Sequence, residues 1–187
     1  MADPRSEALG ARIRQAREAA GHSVRGLARQ IGVSASLLSQ VENGLAQPSV
    51  GTLWALVEAL NVSLDGLFAS PDHAPTLVQR ADERPALELS GGVLWERLSA
   101  APDPDADFAF VTYPAGADSG ADDPPSSHQG KEYGFVISGT LQIEVGDETL
   151  TLGSGDSVVF GSDTPHRFRA VGDQPVQAVW LNLRRRV

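Results

Sequence analysis

The run Ser34-Ala-Ser-Leu-Leu-Ser-Gln-Val-Glu-Asn-Gly44 constrains this chain more than any other stretch. Ser34 is a strong helix N-cap, because its hydroxyl accepts one of the backbone N–H groups that the first turn leaves without a partner. Leu37, Leu38 and Val41 recur at helical spacing and give one apolar face. Ser36, Ser39 and Gln40 project from the other face, and none of them is bulky or acidic. Gly44, after Asn43, is placed to end the helix in the left-handed conformation. The preceding segment supplies a partner: Ser23 caps a second short helix that runs to Gly32, and only Gly32-Val33 separates the two.

Two short helices joined by a tight Gly-containing turn make a helix-turn-helix, whose second helix reads the major groove of DNA. The words Leu27-Ala28, Gly32-Val33-Ser34, Leu38-Ser39-Gln40, Glu42-Asn43-Gly44 and Pro48-Ser49 resemble the Cro/phage-repressor (Xre-type) helix-turn-helix family over roughly residues 6 to 69. The resemblance implies double-stranded operator DNA as the partner. It places Ala35, Ser36 and Gln40 where the family contacts base edges, and Ser34, Ser39 and Asn43 near phosphates. Arg17 and Glu42 match a pair that ties the first helix to the recognition helix; Arg17 and Arg25 complete the expected DNA-binding set. One departure is Gly26, where the family has a Glu. Glycine inside a helix costs about 1 kcal/mol relative to alanine, so the second helix is expected to be soft. A solvated helical hairpin would show the same polar face, but here a whole five-helix pattern surrounds it.

The net charge of −9 looks wrong for a DNA binder. It is unevenly spread: residues 1–70 hold six Arg and six acids, and residues 71–187 hold nine basic residues and eighteen acids. Affinity for phosphates needs local cations, not a basic whole chain. Arg12, Arg14, Arg17, Arg25 and Arg29 supply them if they share a face, and the acidic half is expected to weaken non-specific binding. The 187 residues contain no cysteine, which excludes disulfides and thiolate metal sites. No apolar leader or membrane-length run is present, so a cytoplasmic protein without membrane contact is expected. Arg184-Arg185-Arg186 reads as a solvated basic tail.

Along the chain, the first helix is expected from Ser6 or a neighbour to Gly21, with Leu9, Ile13 and Ala16 on one face. Ser49 caps a fourth helix with the stripe Leu53, Leu56, Val57 and Leu60, and Trp54 lies beside that stripe as a packing residue. Ser63 caps a final short helix, Leu64 to Phe68. Ser70-Pro-Asp-His-Ala-Pro75 reads as a linker, with His73 exposed and idle. Domains are therefore expected at residues 1–69 and 76–187, joined by a linker at 70–75. Beyond Pro75 the helical period disappears. Short β-rich runs at 87–89, 93–98, 108–113, 133–137, 140–145, 148–152, 157–160, 166–171 and 176–183 alternate with Gly, Pro and Asp turns, which argues for an antiparallel sandwich or barrel. The acidic stretch Ala101 to Asp107 reads as a loop.

Two strand-turn units stand out in this half. One is His128-Gln-Gly-Lys-Glu132, followed by Gly139. The other is Gly155, then Gly161, then Thr164-Pro165-His166. They resemble the two motifs of the cupin family, a double-stranded β-helix barrel, over about residues 76 to 183. The fold class implied by both resemblances is a two-domain α + β chain, a five-helix helix-turn-helix bundle followed by an antiparallel β-barrel. In the cupin pattern His128, Glu132 and His166 match metal ligands, while Ser126 occupies the position of a further His. Gly161 and Asp163 replace a Pro and a Gly of the second motif, and Ala170 replaces an Asn. Two imidazoles and a carboxylate suit a divalent metal, whether Fe, Mn, Ni or Zn. The competing reading is a degenerate cupin whose polar groups hydrogen-bond an organic ligand. Phe168, on the face of His166, is expected to wall the ligand pocket. Lys131 points away from Glu132, and Phe135 and Ile137 share that outer face, where a second sheet or a dimer partner would cover them. Trp95 and Arg97 line the pocket if their strand turns that way.

Taken together, the resemblances imply a bacterial transcription regulator: operator DNA bound by the first domain, a small-molecule effector and a homodimer contact supplied by the second. The competing reading is an enzyme, since a fosfomycin-forming epoxidase has a similar layout and holds iron with two His and one Glu. An intact DNA-reading helix is of no use to such an enzyme. A module that binds neither DNA nor ligand leaves both motifs unexplained.

Overall fold

The computed structural model describes residues 4–68, 77–119 and 125–184. The expected linker at 70–75, His73, and Arg185 and Arg186 lie outside them. The first half is helical: α1 (Pro4–Ala19), α2 (Val24–Gln30), α3 (Ala35–Glu42), α4 (Val50–Leu60) and α5 (Leu64–Phe68). The serine caps form as expected. The hydroxyls of Ser23, Ser34 and Ser49 accept from the backbone N–H of Gly26, Leu37 and Thr52 at about 3.0 Å, and Ser63 accepts from Gly66 at 2.9 Å. Helix α1 starts at Pro4, slightly before Ser6, because proline fits a first helical turn whose N–H has no acceptor anyway.

Leu9, Ile13, Leu27, Leu38, Val41, Leu53, Leu56 and Leu60 are buried in the helical core. Gly10 is buried where α1 crosses the end of α3, and a side chain there would run into the backbone carbonyls of Val41 and Glu42. Beside this crossing lies the Arg17–Glu42 pair anticipated from the sequence. Arg17 Nε donates to Glu42 Oε1 at 2.6 Å and Nη2 to Glu42 Oε2 at 3.0 Å, a fork-to-fork arrangement. Both residues are buried. Arg17 Nη1 also donates to the carbonyl of His22 at 2.9 Å, so one guanidinium holds the end of α1, the α1–α2 turn and the recognition helix.

The second half contains nine strands among the described residues: β1 (Ala86–Leu89), β2 (Val93–Arg97), β3 (Ala106–Tyr113), β4 (Lys131–Ser138), β5 (Thr140–Val145), β6 (Glu148–Leu152), β7 (Ser157–Gly161), β8 (His166–Val171) and β9 (Val176–Leu183). They form a six-stranded sheet, ordered β1-β2-β3-β9-β4-β7, and a three-stranded sheet, ordered β6-β5-β8. Neighbouring strands are antiparallel. The sequence suggested a closed barrel; the structure has two open sheets, and single bridges join β8 of the smaller one to Asp118 and Ser126, which lie outside the strands. Both residues lie in the connection from β3 to β4, where Pro114 and Pro125 have no N–H to extend a ladder. Strand alternation places Val111, Tyr113, Trp180, Ala178, Leu141, Ile143 and Phe168 inside. Gly134 makes room for Trp180: a Cβ there would lie 2.5 Å from the indole ring.

One expectation on the loops is corrected. Asp107 belongs to β3, not to an acidic loop, and it is buried. Arg184, expected in a solvated tail, forks onto it, with Nη2 to Oδ1 at 2.6 Å and Nε to Oδ2 at 3.1 Å. The register that sets Asp107 opposite Asn182 brings the two charges together across β3 and β9.

The buried residues of both halves join in one apolar cluster. Glu58 of α4 accepts from the backbone N–H of Gln129 at 2.6 Å, and Pro48 accepts from Ser90 N–H at 2.9 Å. Removing one partner of a buried ion pair strands the other charge, so Glu42→Ala should destabilise the helical domain by about 3–5 kcal/mol. Urea denaturation followed by helical circular dichroism reads this directly, and an unshifted midpoint would mean the pair contributes nothing.

Candidate functional site

Helix α3 turns its apolar face inward and its polar face out. Leu38 and Val41 are buried, while Ser34, Ser36, Gln40 and Asn43 are exposed and Ala35 and Ser39 half-buried. The positions expected to meet base edges thus share one accessible face, except that Ala35 partly packs on the core. Asn43 is held at the end of that face. Its Nδ2 donates to the Ser39 carbonyl at 2.7 Å, and its Oδ1 accepts from Arg14 Nη2 at 2.6 Å. Arg25 and Arg29 are exposed on α2. Arg17 is not an exposed cation: its guanidinium is taken up by Glu42, so it serves the reading helix as an anchor. Arg12 also turns away, donating to the Leu67 carbonyl at 2.8 Å.

The second site lies between the two sheets. His128 precedes β4, Glu132 is its second residue, and His166 opens β8; all three are buried. Glu132 Oε1 lies 2.9 Å from His128 Nε2 and 3.1 Å from His166 Nε2. The distances are short, yet His128 Nε2 and Glu132 Oε1 are not aligned for hydrogen bonds. One donor atom from each residue falls within 4.8 Å of the others. His166 Nδ1 sits 2.9 Å from the Thr164 carbonyl, which only accepts, so Nδ1 carries the proton and Nε2 faces Glu132. Burial pushes the Glu132 carboxyl up, but the two imidazoles outweigh it and hold the group ionised, down at about 2. Burial pulls His166 down, and the Glu132 carboxylate with the Thr164 carbonyl raises it above its ordinary value overall.

Aromatic rings wall this cluster. Phe168 lies 5.5 Å from the His166 ring and 4.6 Å from Trp180, as its place on the His166 face implied. Phe160 lies 5.1 Å from His166. The outermost wall comes from the other domain: Trp54 of α4 stacks on His128 with centroids 4.0 Å apart and planes within 12°. Trp54 also meets Trp95 edge-on at 6.4 Å.

Comparison with known proteins assigns both halves. The helix-turn-helix family model matches residues 13–67 and the cupin domain model residues 109–182. The chain is 30% identical over 168 residues to the HTH-type transcriptional regulator SutR of Escherichia coli (strain K12), covering 90% of each chain. The chain belongs to the HTH-type transcriptional regulators. The regulator PuuR of Escherichia coli (strain K12) is 27% identical over 165 residues, 86% of each chain. An HTH_3 family transcriptional regulator from Vibrio cholerae shares the fold, with a TM-score of 0.71 at 22% identity over 97% of each chain.

In this regulator the donor set fits a divalent cation. Two imidazole nitrogens and a carboxylate oxygen converge in a buried site, and a backbone carbonyl orients one imidazole through its far nitrogen, as ligating histidines require. Ser126 adds nothing to the set, because its hydroxyl lies 3.2 Å from the His166 carbonyl and donates there. Several inward polar atoms were not singled out from the sequence. Tyr113 Oη, Trp180 Nε1 and both amide atoms of Asn182 are buried without hydrogen-bond partners, and burial pushes the Tyr113 hydroxyl pKa up. Their strand alternation was visible, but not which sheet would face them. Trp95 and Arg97 do point inward, yet Arg97 ends away from the triad, in a cavity between the domains. Among the described residues, no helix is long and apolar enough to cross a membrane. If the triad holds a cation, the wild-type regulator dialysed against Fe(II), Mn(II), Ni(II) or Zn(II) retains one equivalent by elemental mass spectrometry. Glu132→Gln then weakens retention about 100-fold or more. Equal retention by both proteins would remove the triad as the binding set.

Proposed function

We propose that this regulator is a homodimer that reads a two-fold operator through α3 and responds to a small-molecule effector held at His128, Glu132 and His166, directly or through a divalent metal. The reading rests on one observation above the others: α4 of the DNA-binding domain lays Trp54 flat on His128 of the effector site. Whatever occupies the triad is therefore felt by the helical domain. A bound cation there would offer open coordination positions to an oxygen or nitrogen donor of the effector. The effector acts by its difference in affinity between two dispositions of the domains, and shifts the equilibrium by no more than that difference. The expected boundaries, residues 1–69 for DNA binding, 70–75 for the linker and 76–187 for sensing and dimerisation, are part of the proposal, as is a cytoplasmic location.

Base readout is assigned to Ala35, Ser36 and Gln40, and phosphate contact to Ser34, Ser39, Asn43 and Arg25, with Arg17 supporting the helix from behind. Dimerisation is assigned to the outer face of β4, β7 and β9. Tyr133, Phe135, Ile137 and Val159 are 40–51% exposed there, around a shallow groove of about 370 Å³. A contiguous apolar sheet face of this kind marks an association surface. A charge in its middle opposes burial, so Phe135→Glu should convert the dimer to a monomer in sedimentation velocity while leaving the helical domain folded. A wild-type protein that sediments as a monomer would discard the dimer.

The deciding experiment is selection from randomised duplex DNA at two salt concentrations, with and without Fe(II). The expected outcome is an enriched two-fold site, with half-sites about 34 Å or a multiple apart, whose affinity falls steeply with salt. Gln40→Ala should lose about 1–3 kcal/mol of discrimination at one base pair; unchanged preference would show that another residue reads that pair. The second reading, an iron enzyme, is favoured by the two-His, one-carboxylate donor set. No enriched sequence, together with substrate-dependent oxygen uptake on a phosphonate or hydroxy acid, would replace the regulator with that enzyme.

A further inference from the structure

A cavity of about 630 Å³ lies between the domains, away from the triad. Arg5 and Arg12 of α1 face it from one side. Arg80, Arg84 and Arg97 face it from the other, and among the described residues of its lining Glu83 is the lone acid. Five arginines around one concavity are unusual in a chain of net charge −9. Arg97 is only 7% exposed. Its Nε donates to the Ser99 carbonyl at 3.1 Å, which fixes the guanidinium plane. Its Nη1, like Arg84 Nε, is buried without a hydrogen-bond partner. Arg84 is held in place by a long contact of 3.8 Å to Glu96 and by the Phe110 ring, 5.3 Å from its guanidinium carbon. A buried guanidinium nitrogen with no acceptor is costly. That cost is relieved by an anion whose oxygens accept from fixed guanidinium forks. Phe68 and Leu87 add apolar walls, and the volume suits a small organic molecule.

We infer that this interdomain cavity is a second ligand site, selective for a small organic anion carrying a carboxylate or phosphate group on an apolar body. The site is distinct from the triad and uses no metal. Its ligand bridges α1 of the DNA-binding domain and the β1–β2 edge of the cupin domain, so it fixes how the two domains sit. Duplex DNA is the wrong partner, because a stiff double helix cannot bring a phosphate to a side chain as enclosed as Arg97.

The test uses the full-length protein in calorimetric titrations with inorganic phosphate, phenyl phosphate and benzoate, against chloride at matched ionic strength. One saturable site per chain is expected for phenyl phosphate or benzoate, with a raised Tm, and whichever of the two binds more tightly identifies the headgroup. Inorganic phosphate alone should bind at least tenfold more weakly, for want of the apolar walls. Arg97→Met should weaken binding at least tenfold, and Arg97→Lys should recover only part. Should Arg97→Met fail to fold, Arg80→Gln at the exposed rim keeps the core intact and should still weaken binding several-fold. Glu132→Gln should leave binding unchanged. Loss on Glu132→Gln instead would move the anion to the triad and overturn the second site without touching the proposed function. Displacement of the ligand by non-specific duplex DNA would make the arginines a backbone contact and also overturn it. So would the lack of saturation by all three probes below about 1 mM, the range of merely weak association.

Discussion

The stacking of Trp54 on His128 is the contact that ties the helical half to the triad itself. A helix that belongs to the DNA-binding core needs only its inward stripe, Leu53, Leu56, Val57 and Leu60, to be buried. Trp54 lies next to that stripe and is buried as well, against the edge of Trp95 and the face of His128. An indole fitted flat against an imidazole supplies apolar area and ring stacking together. The same helix carries Glu58 one turn further on, which accepts from the N–H of Gln129, the residue after that imidazole. Two neighbouring contacts therefore reach the same short loop, and that loop delivers His128 to Glu132. His128 is thus packed on α4 as well as held between the sheets.

The local devices of the fold were legible because each depends on residues a few positions apart. Serine caps at 23, 34, 49 and 63 are visible as soon as an apolar run follows them, and all four form as hydrogen bonds. The strands show period-two alternation between Gly and Pro breaks, and all nine expected runs coincide with strands. The triad could be read for a similar reason: His128 and Glu132 sit within one turn-and-strand word, and His166 ends another. What the motifs could not convey was closure. Two sheets and a barrel have the same strand words, and they differ only in whether the last ladder forms.

The remaining features depend on partners far apart in the chain. Arg184 meets Asp107 across 77 positions and Gln129 meets Glu58 across 71. Neither spacing has a local signature, so an acidic loop and a basic tail were the natural readings of two segments that in fact neutralise each other. Arg97 is the sharpest case. Its alternation with Trp95 and Val93 sets all three on one face, but the sequence leaves open whether that face is inside. The helical domain, docked against that edge of the sheet, creates an interior for it.

The placement of the arginines also resolves how an acidic chain can suit DNA. Of the six arginines in residues 1–70, Arg17 is consumed by Glu42, while Arg5 and Arg12 face the interdomain cavity. Arg14 is engaged with Asn43 at the end of the recognition helix. Arg25 and Arg29 are left exposed on α2, the helix that precedes the reading helix. Few cations released toward the phosphates, beside an acidic second domain, mean a small sequence-independent term in binding. Under the proposed function, affinity comes from base-edge contacts made by α3, and these are only as good as the fixity of that helix. Among the described charges of the helical half, Glu42 is the most deeply buried, and its forked pairing with Arg17 ties α3 to α1 from behind.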